Sequence, residues 1–347
     1  FLAANDLTGQ LPTEIGRCRN LKWLWIGENQ LTGTLPTELS KLSALEFFYV
    51  SENSLNGTVP TEFGQLTALE SFGINDNLLT GILPTELGKI TNLQDFYAAN
   101  NRLSGSLPTE LGTWNALTFL SIGSNGFTGT LPTDFGLLSS LQHFDLYNNS
   151  LHGTLPTGLG QLSALTWLNI AINGFVGTLP EVHNASGLQV YEVSTNDFTG
   201  TIPTRLSEMT SLYYFSVSNN SLTGTVPTEL GQLIALQYLD LSDNGFTGTL
   251  PKELVQSSGL IGLSVSLNTL TGTIPTELAL LSNLTIFSFF QNNLTGSVSD
   301  TLCLHTNSTN RQWEILEGDC SDNGSGQVMV ECECCTSCGG LNESMRV

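Results

Sequence analysis

Shifting the chain by 24 residues lays it almost onto itself, and a chain that repeats at such a period is an array before any one segment is assigned. Asparagine recurs at Asn5, Asn29, Asn53, Asn77, Asn101, Asn125, Asn149, Asn173, Asn196, Asn220, Asn244, Asn268 and Asn292. Glycine follows each of them four residues later, from Gly9 to Gly296, and all twelve prolines stand three residues beyond such a glycine. The last copy carries Ser299 where proline would stand.

Each column has a physical reason. In the copy around Asn220, the apolar residues Leu222, Val226, Leu230, Leu233, Leu236, Leu239 and Leu241 fit neither a long helical stripe nor a long alternating strand. They fit a coil that turns its apolar side chains inward all the way round and buries them by stacking on the next coil. Leu239 and Leu241 then face the core from a short strand, with Tyr238, Asp240 and Ser242 facing out. Asn244 closes the turn, its amide satisfying backbone groups that burial would leave unpaired. Gly224 suits a bend, Pro227 pre-sets φ, and TELGQL makes one short helical turn.

The pattern LxxLxLxxNxLTGxLPxELGxLxx, repeated about a dozen times from the first residue to about Ser299, resembles the plant-type leucine-rich repeat. That repeat builds extracellular domains of plant receptor-like kinases, receptor-like proteins and polygalacturonase-inhibiting proteins. The resemblance implies an α/β solenoid, a right-handed superhelix with a parallel β-sheet on its concave face and short 3-10 turns on its convex face. The expected division is residues 1–298 as solenoid and 299–347 as a cysteine-rich C-terminal cap. Similar cysteine-rich tails follow such repeats in secreted diatom proteins.

A net charge of −21 with ten Lys and Arg argues against nucleic acid or anionic lipid as partner. Much of that charge forms a column two residues after the proline, from Glu14 and Glu38 to Glu277, where an acid is favoured in the first turn of a short helix. No run of about 18 apolar residues occurs, so the sequence offers no membrane span. The chain opens at Phe1 inside a strand with no polar cap over the first coil, which raises the expectation of a missing upstream part. Cys18 occupies a leucine column and is expected to be a buried thiol. One coil is irregular: Asn173 and Asn196 are 23 residues apart, with Pro180-Glu-Val-His-Asn-Ala-Ser in place of PTELGQL, a loop deletion on the convex side.

Beyond Ser299 lie Cys303, Cys320, Cys332, Cys334, Cys335 and Cys338, an even set read as three disulfides with fifteen pairings open. Zinc is the rival, but adjacent Cys334 and Cys335 match paired CxxC knuckles poorly. Trp313, Ile315 and Leu316 are available to cover the last coil. Nine glycosylation sequons, at Asn56, Asn148, Asn184, Asn219, Asn283, Asn293, Asn307, Asn323 and Asn342, support an extracellular or cell-surface location.

Catalysis finds little support. The four histidines are scattered, no nucleophile elbow occurs, and neither metal nor cofactor is implied. The stronger signal is the pair of variable strand columns, expected to face solvent on the concave sheet. They carry Trp23, Phe47, Asp95, Phe119, His143, Trp167, Tyr214 and Tyr238 in one column, and Trp25, Tyr49, Tyr97, Asp145, Asn169 and Asp240 in the other. Trp23, Trp25, Phe47 and Tyr49 make a contiguous aromatic patch of the kind that marks a binding site for a peptide, protein or cell-wall glycan. The competing reading is that the rings stack on each other. A different function is suggested by Thr-Gly-Thr at 32–34, 128–130, 199–201, 223–225, 247–249 and 271–273, whose stacked ranks resemble ice-binding surfaces or would serve a structural role in a cell wall. Asn56, Ile82, His152 and Val176 interrupt them.

Overall fold

The structure is a computed structural model and describes residues 1–180, 182, 184–303, 313–319 and 330–338. Two compact units divide the chain: Phe1–Val176 with Pro180–Ala185, and Gly177–Leu179 with Ser186–Val347.

In the first unit the expected strands form one parallel sheet. Trp23–Trp25, Phe47–Tyr49, Ser71–Gly73, Asp95–Tyr97, Phe119–Ser121, His143–Asp145 and Trp167–Asn169 pair in that order. The register places equivalent positions side by side, Trp23 beside Phe47 and Trp25 beside Tyr49. The second unit repeats this with Val190–Glu192, Tyr214–Ser216, Tyr238–Asp240, Gly262–Ser264 and Ile286–Ser288. In each unit the LTGT stretches form a second parallel sheet, with Gln30–Thr34 beside Ser54–Gly57 in the first and Asp197–Gly200 beside Ser221–Thr225 in the second.

The prolines end these second strands. Outside the shortened coil each sits in extended backbone immediately before a 3-10 turn, as Pro60 does before Thr61–Gln65, and the acid column lies in the first turn. Between the layers lies the core, where Leu45, Phe48, Val50, Leu55, Phe63 and Leu66 of one coil are all fully buried. In the shortened coil Val182 and Ala185 take the buried positions, linked by Ala185 N–H donating to the Val182 carbonyl at 2.9 Å.

The asparagine column stitches coil to coil. Asn77 Nδ2 donates to Ile74 O at 3.2 Å and Asn75 O at 3.1 Å in its own coil, and to Val50 O at 3.0 Å in the preceding one. Its Oδ1 accepts the Leu55 N–H at 2.9 Å. The residue before each asparagine is left-handed, with φ between 50° and 55°. Among the described residues thirteen non-glycine residues adopt that conformation, including the β-branched Ile172 at φ 54° and Thr195 at φ 53°. Left-handed backbone costs roughly 1–2 kcal/mol for an ordinary residue and less for asparagine, and Ile172 is 37% exposed, so little burial is lost on replacing it. Ile172→Asn is therefore expected to raise stability by about 1 kcal/mol, read as a higher urea midpoint at unchanged slope.

Cys18 departs from expectation. It is a free thiol and exposed, since the burial of a column in a solenoid depends on the neighbouring coil.

Past the last repeat, Asp300–Cys303 is a short α-helix whose Leu302 N–H is capped by Ser299 Oγ at 3.3 Å. Ile315–Gly318 then extends the principal sheet of the second unit, with Ile315 beside Ile286 and Leu316 beside Phe287, and Ser337–Cys338 pairs with Glu317 and Gly318. Leu316 is fully buried. Cys303 is bridged to Cys334 and Cys332 to Cys335, and Cys338 is disulfide-bonded. Cys320 and the sequons Asn307, Asn323 and Asn342 lie outside the described residues.

Candidate functional site

Strand alternation places the two variable columns on the outer face of the principal sheet. In the first unit a run of rings crosses that face. Phe1 contacts Trp25 at 5.4 Å between centroids, Trp25 stacks on Tyr49 at 5.0 Å, and Tyr49 meets Tyr97 at 6.3 Å. The run then changes column: Tyr97 meets Phe119 at 4.6 Å, Phe119 stacks on His143 at 4.0 Å, and His143 stacks on Trp167 at 5.2 Å. The rings thus stack on one another and still present surface. Trp23 and Trp25 remain 49% and 43% exposed, and Phe47, Tyr49, Tyr97, Phe119 and Trp167 are half-buried.

Not every position in the columns faces solvent as expected. Ser71 and Gly73 are buried because the Tyr49 ring lies over them, its hydroxyl hydrogen-bonded to Ser71 Oγ and its Cδ1 filling the space a Gly73 side chain would need. In the second unit Tyr238 covers Gly262, where an added Cβ would stand 2.8 Å from Tyr238 Cδ1, and Val190, Ser216 and Ser288 are also buried. Small residues under large neighbours are a signal that reading columns one position at a time misses.

The titratable groups among the rings are held neutral or shifted by burial. Burial pushes His143 down to about 4, so its ring is uncharged at neutral pH and stacks on Phe119 as a flat aromatic. Between about 4 and its usual value of about 6.5, the unfolded chain takes up a proton that the folded ring refuses. This group's contribution to stability is therefore fully present above about 6.5, is lost as pH falls through that window, and levels off below about 4. The His143 ring protons are expected to titrate by NMR near 4; a midpoint above 6 would contradict the packing.

Asp145 is shifted the other way. Burial raises its carboxyl, opposed by the Tyr147 N–H at 3.0 Å and the Ser121 hydroxyl at 3.1 Å. Among the described residues no hydrogen bond joins it to His143. Asn169 turns its Oδ1 to the Ala171 N–H at 3.2 Å.

Asp95 accepts from Thr118 Oγ1 at 3.2 Å and lies near enough to Tyr97 to help lift its hydroxyl to about 12, burial being the larger cause. In the second unit, Tyr214 meets Tyr238 at 6.2 Å and hydrogen-bonds Glu192, while Asp240 accepts from Ser242 N at 3.0 Å and Ser242 Oγ at 2.6 Å.

Sequence columns alone pass over two acidic rows that border the rings of the first unit. Lys22, Glu46 and Glu70 align just before the strands, joined by Glu46 N to Lys22 O at 2.9 Å and Glu70 N to Glu46 O at 2.8 Å. Glu28, Glu52 and Asp76 align just after them, at the left-handed positions. Of the acceptor groups for sugar attachment, Asn56, Asn148, Asn184, Asn219 and Asn293 are exposed and Asn283 is half-buried.

The Leucine Rich Repeat family model matches residues 20–42, 44–66, 116–138, 140–162, 211–233 and 235–256, each covering one coil. This chain is a leucine-rich-repeat protein. Its solenoid aligns with the crystal structure of a TDR receptor at 35% identity and a TM-score of 0.84, over 87% of this chain and 52% of that one. It also aligns with the Arabidopsis receptor kinase HAESA, crystallised with the peptide hormone IDA and the co-receptor SERK1, at 29% identity and a TM-score of 0.74, over 86% of this chain and 54% of HAESA. The leucine-rich-repeat chain thus spans about half the length of these receptor ectodomains. A plant ice-binding protein aligns less well, at 27% identity and a TM-score of 0.52 over 71% of each chain. No curated protein matches the chain in sequence.

The threonine ranks sit on the second sheet with much of their hydrogen bonding already used. Thr223 Oγ1 donates to Gly200 O and Thr247 Oγ1 to Gly224 O, each at 3.3 Å. Thr201 Cγ2 lies 2.8 Å from where a Cβ on Gly224 would stand, so the glycine at φ +83° is needed both for its backbone and for the methyl beneath it. Among the described residues no helix is long and apolar enough to cross a membrane.

Proposed function

We propose that the array is an extracellular or cell-surface recognition module that takes a peptide or protein segment along the outer face of its principal sheet and catalyses no reaction. The observation that carries this is the continuous run from Trp25 to Trp167, a supported aromatic surface with two tryptophans about half exposed at one end. Exposed aromatic patches of this kind are found at protein interaction sites, and Trp and Tyr supply most of the energy at such sites. The likeness to HAESA, crystallised with a peptide hormone, supports the same reading.

The test is capture of ligands from panels of secreted peptides and cell-wall glycans by the immobilised chain and by a Trp23→Ala/Trp25→Ala variant. Capture by the variant equal to the wild type would place the ligand elsewhere. Ice-crystal shaping by the same sample, with no ligand captured, would move the function to the threonine ranks.

A further inference from the structure

The ring surface of the first unit carries a one-sided charge. Glu28, Glu52 and Asp76 border the strands at one end, Glu46 and Glu70 at the other, and Asp95 stands in the ring column itself. Against these six carboxylates the bordering rows hold one cation, Lys22, which is already paired with Glu46 at 2.6 Å. Glu28 and Glu52 are exposed, and neither carboxylate holds a side-chain partner among the described residues. Asp76 accepts only neutral amides, from Asn75 at 2.7 Å and Asn100 at 2.8 Å, so its charge is uncompensated.

We propose that the occupant of this face is a cationic peptide segment, with an Arg or Lys side chain laid over the Trp25–Tyr49 ring pair and its charge met by Glu28 and Glu52, and with a further basic residue of the segment met by Glu70 at the other end of the strands. This rests on the reading of the face as a binding surface and names its ligand class. Ring faces carry negative partial charge and attract a guanidinium or ammonium group, while the aliphatic stem of such a side chain packs on the same rings. The carboxylate rows add long-range attraction that raises the association rate and rejects acidic segments.

A neutral segment or an uncharged glycan would gain the ring contact but cover carboxylates without pairing them, which costs free energy. The field of Asp95 already reaches the rings, since its charge helps to raise the hydroxyls of both Tyr49 and Tyr97 after burial has acted.

The test is selection of displayed random dodecapeptides on the wild-type chain, with an array of uncharged glycans alongside. Selected peptides are expected to be rich in Arg and Lys. Replacing those residues by citrulline and acetyl-lysine is expected to weaken binding about tenfold or more. The Glu28→Gln/Glu52→Gln/Glu70→Gln variant, altered only at surface positions, is expected to lose about tenfold and to show a flatter dependence on salt.

Trp25→Ala leaves the net charge unchanged and is expected to lose the same peptides, which separates a site from general attraction to an acidic chain. Neutral or acidic peptides, or glycans, captured in a Trp25-dependent way would overturn the cationic ligand and leave the binding face standing. Cationic peptides held equally by Trp25→Ala would overturn both. Failure to select cationic peptides at all would overturn the proposal.

Discussion

Replacing Trp23 and Trp25 together by alanine is expected to weaken ligand binding by about a hundredfold or more while shifting thermal stability little. The two side chains are 49% and 43% exposed, so much of their surface is available to a partner. Anchoring aromatics at an interface each contribute about 2 kcal/mol or more, and about 2.7 kcal/mol is already a hundredfold. On the folded side, Trp25 loses its stack on Tyr49 and its contact with Phe1, worth on the order of 1 kcal/mol. Tyr49→Ala behaves differently, because it also removes the hydroxyl bond to Ser71 and uncovers Gly73. That variant is expected to lose stability and binding together. Isothermal titration beside a thermal melt separates the two cases: a large drop in melting temperature for the tryptophan pair would make those rings structural.

Asn77→Ala is expected to cost about 3 kcal/mol, although it removes only a small polar side chain. Asn77 is 6% exposed and makes four hydrogen bonds across two coils. The three carbonyls it serves each keep another donor: Val50 O from Asn53 Nδ2, Ile74 O from Asn101 Nδ2 and Asn75 O from the Glu52 N–H. The Leu55 N–H does not, since Asn77 Oδ1 is its acceptor and Leu55 is fully buried. One orphaned buried donor and the loss of three weaker bonds together give the figure. Because a solenoid coil contacts only its neighbours, the loss should appear as increased hydrogen exchange centred on the coils of Asn53, Asn77 and Asn101. Asn56→Ala, at an exposed position with ordinary strand backbone, is expected to change stability by less than about 0.5 kcal/mol. Equal effects at the two positions would contradict the stitching role of the buried column.

Much of this was legible in the sequence because every coil solves the same burial problem with the same residues. Leu24 and Ile26 on either side of Trp25, Phe48 and Val50 on either side of Tyr49, the prolines before the 3-10 turns and the asparagine column all fell where period and propensity put them. What escaped were features set by neighbours in the stack. Cys18 stands in a leucine column and is exposed, because burial there depends on a covering coil. Ser71 and Gly73 stand in an outward column and are buried, because Tyr49 lies along the sheet. Ile315 and Leu316 continue the sheet at a spacing of 29 residues from Ile286 and Phe287, a step too long to be recognised as the 24-residue repeat. The acidic rows of Glu28, Glu52 and Glu70 lie outside the strand columns and become borders of one ring surface only through the stacking of the coils.

The most direct measurement is hydroxyl-radical footprinting of the chain with and without a peptide that it captures. Protection of Trp23, Trp25 and Tyr49, with oxidation of the 3-10 turns and of the Thr-Gly-Thr strands unchanged, is the result expected for recognition on the ring face. Protection confined to the turns or to the threonine strands, with Trp23 and Trp25 oxidised as fast as in the free chain, would contradict it.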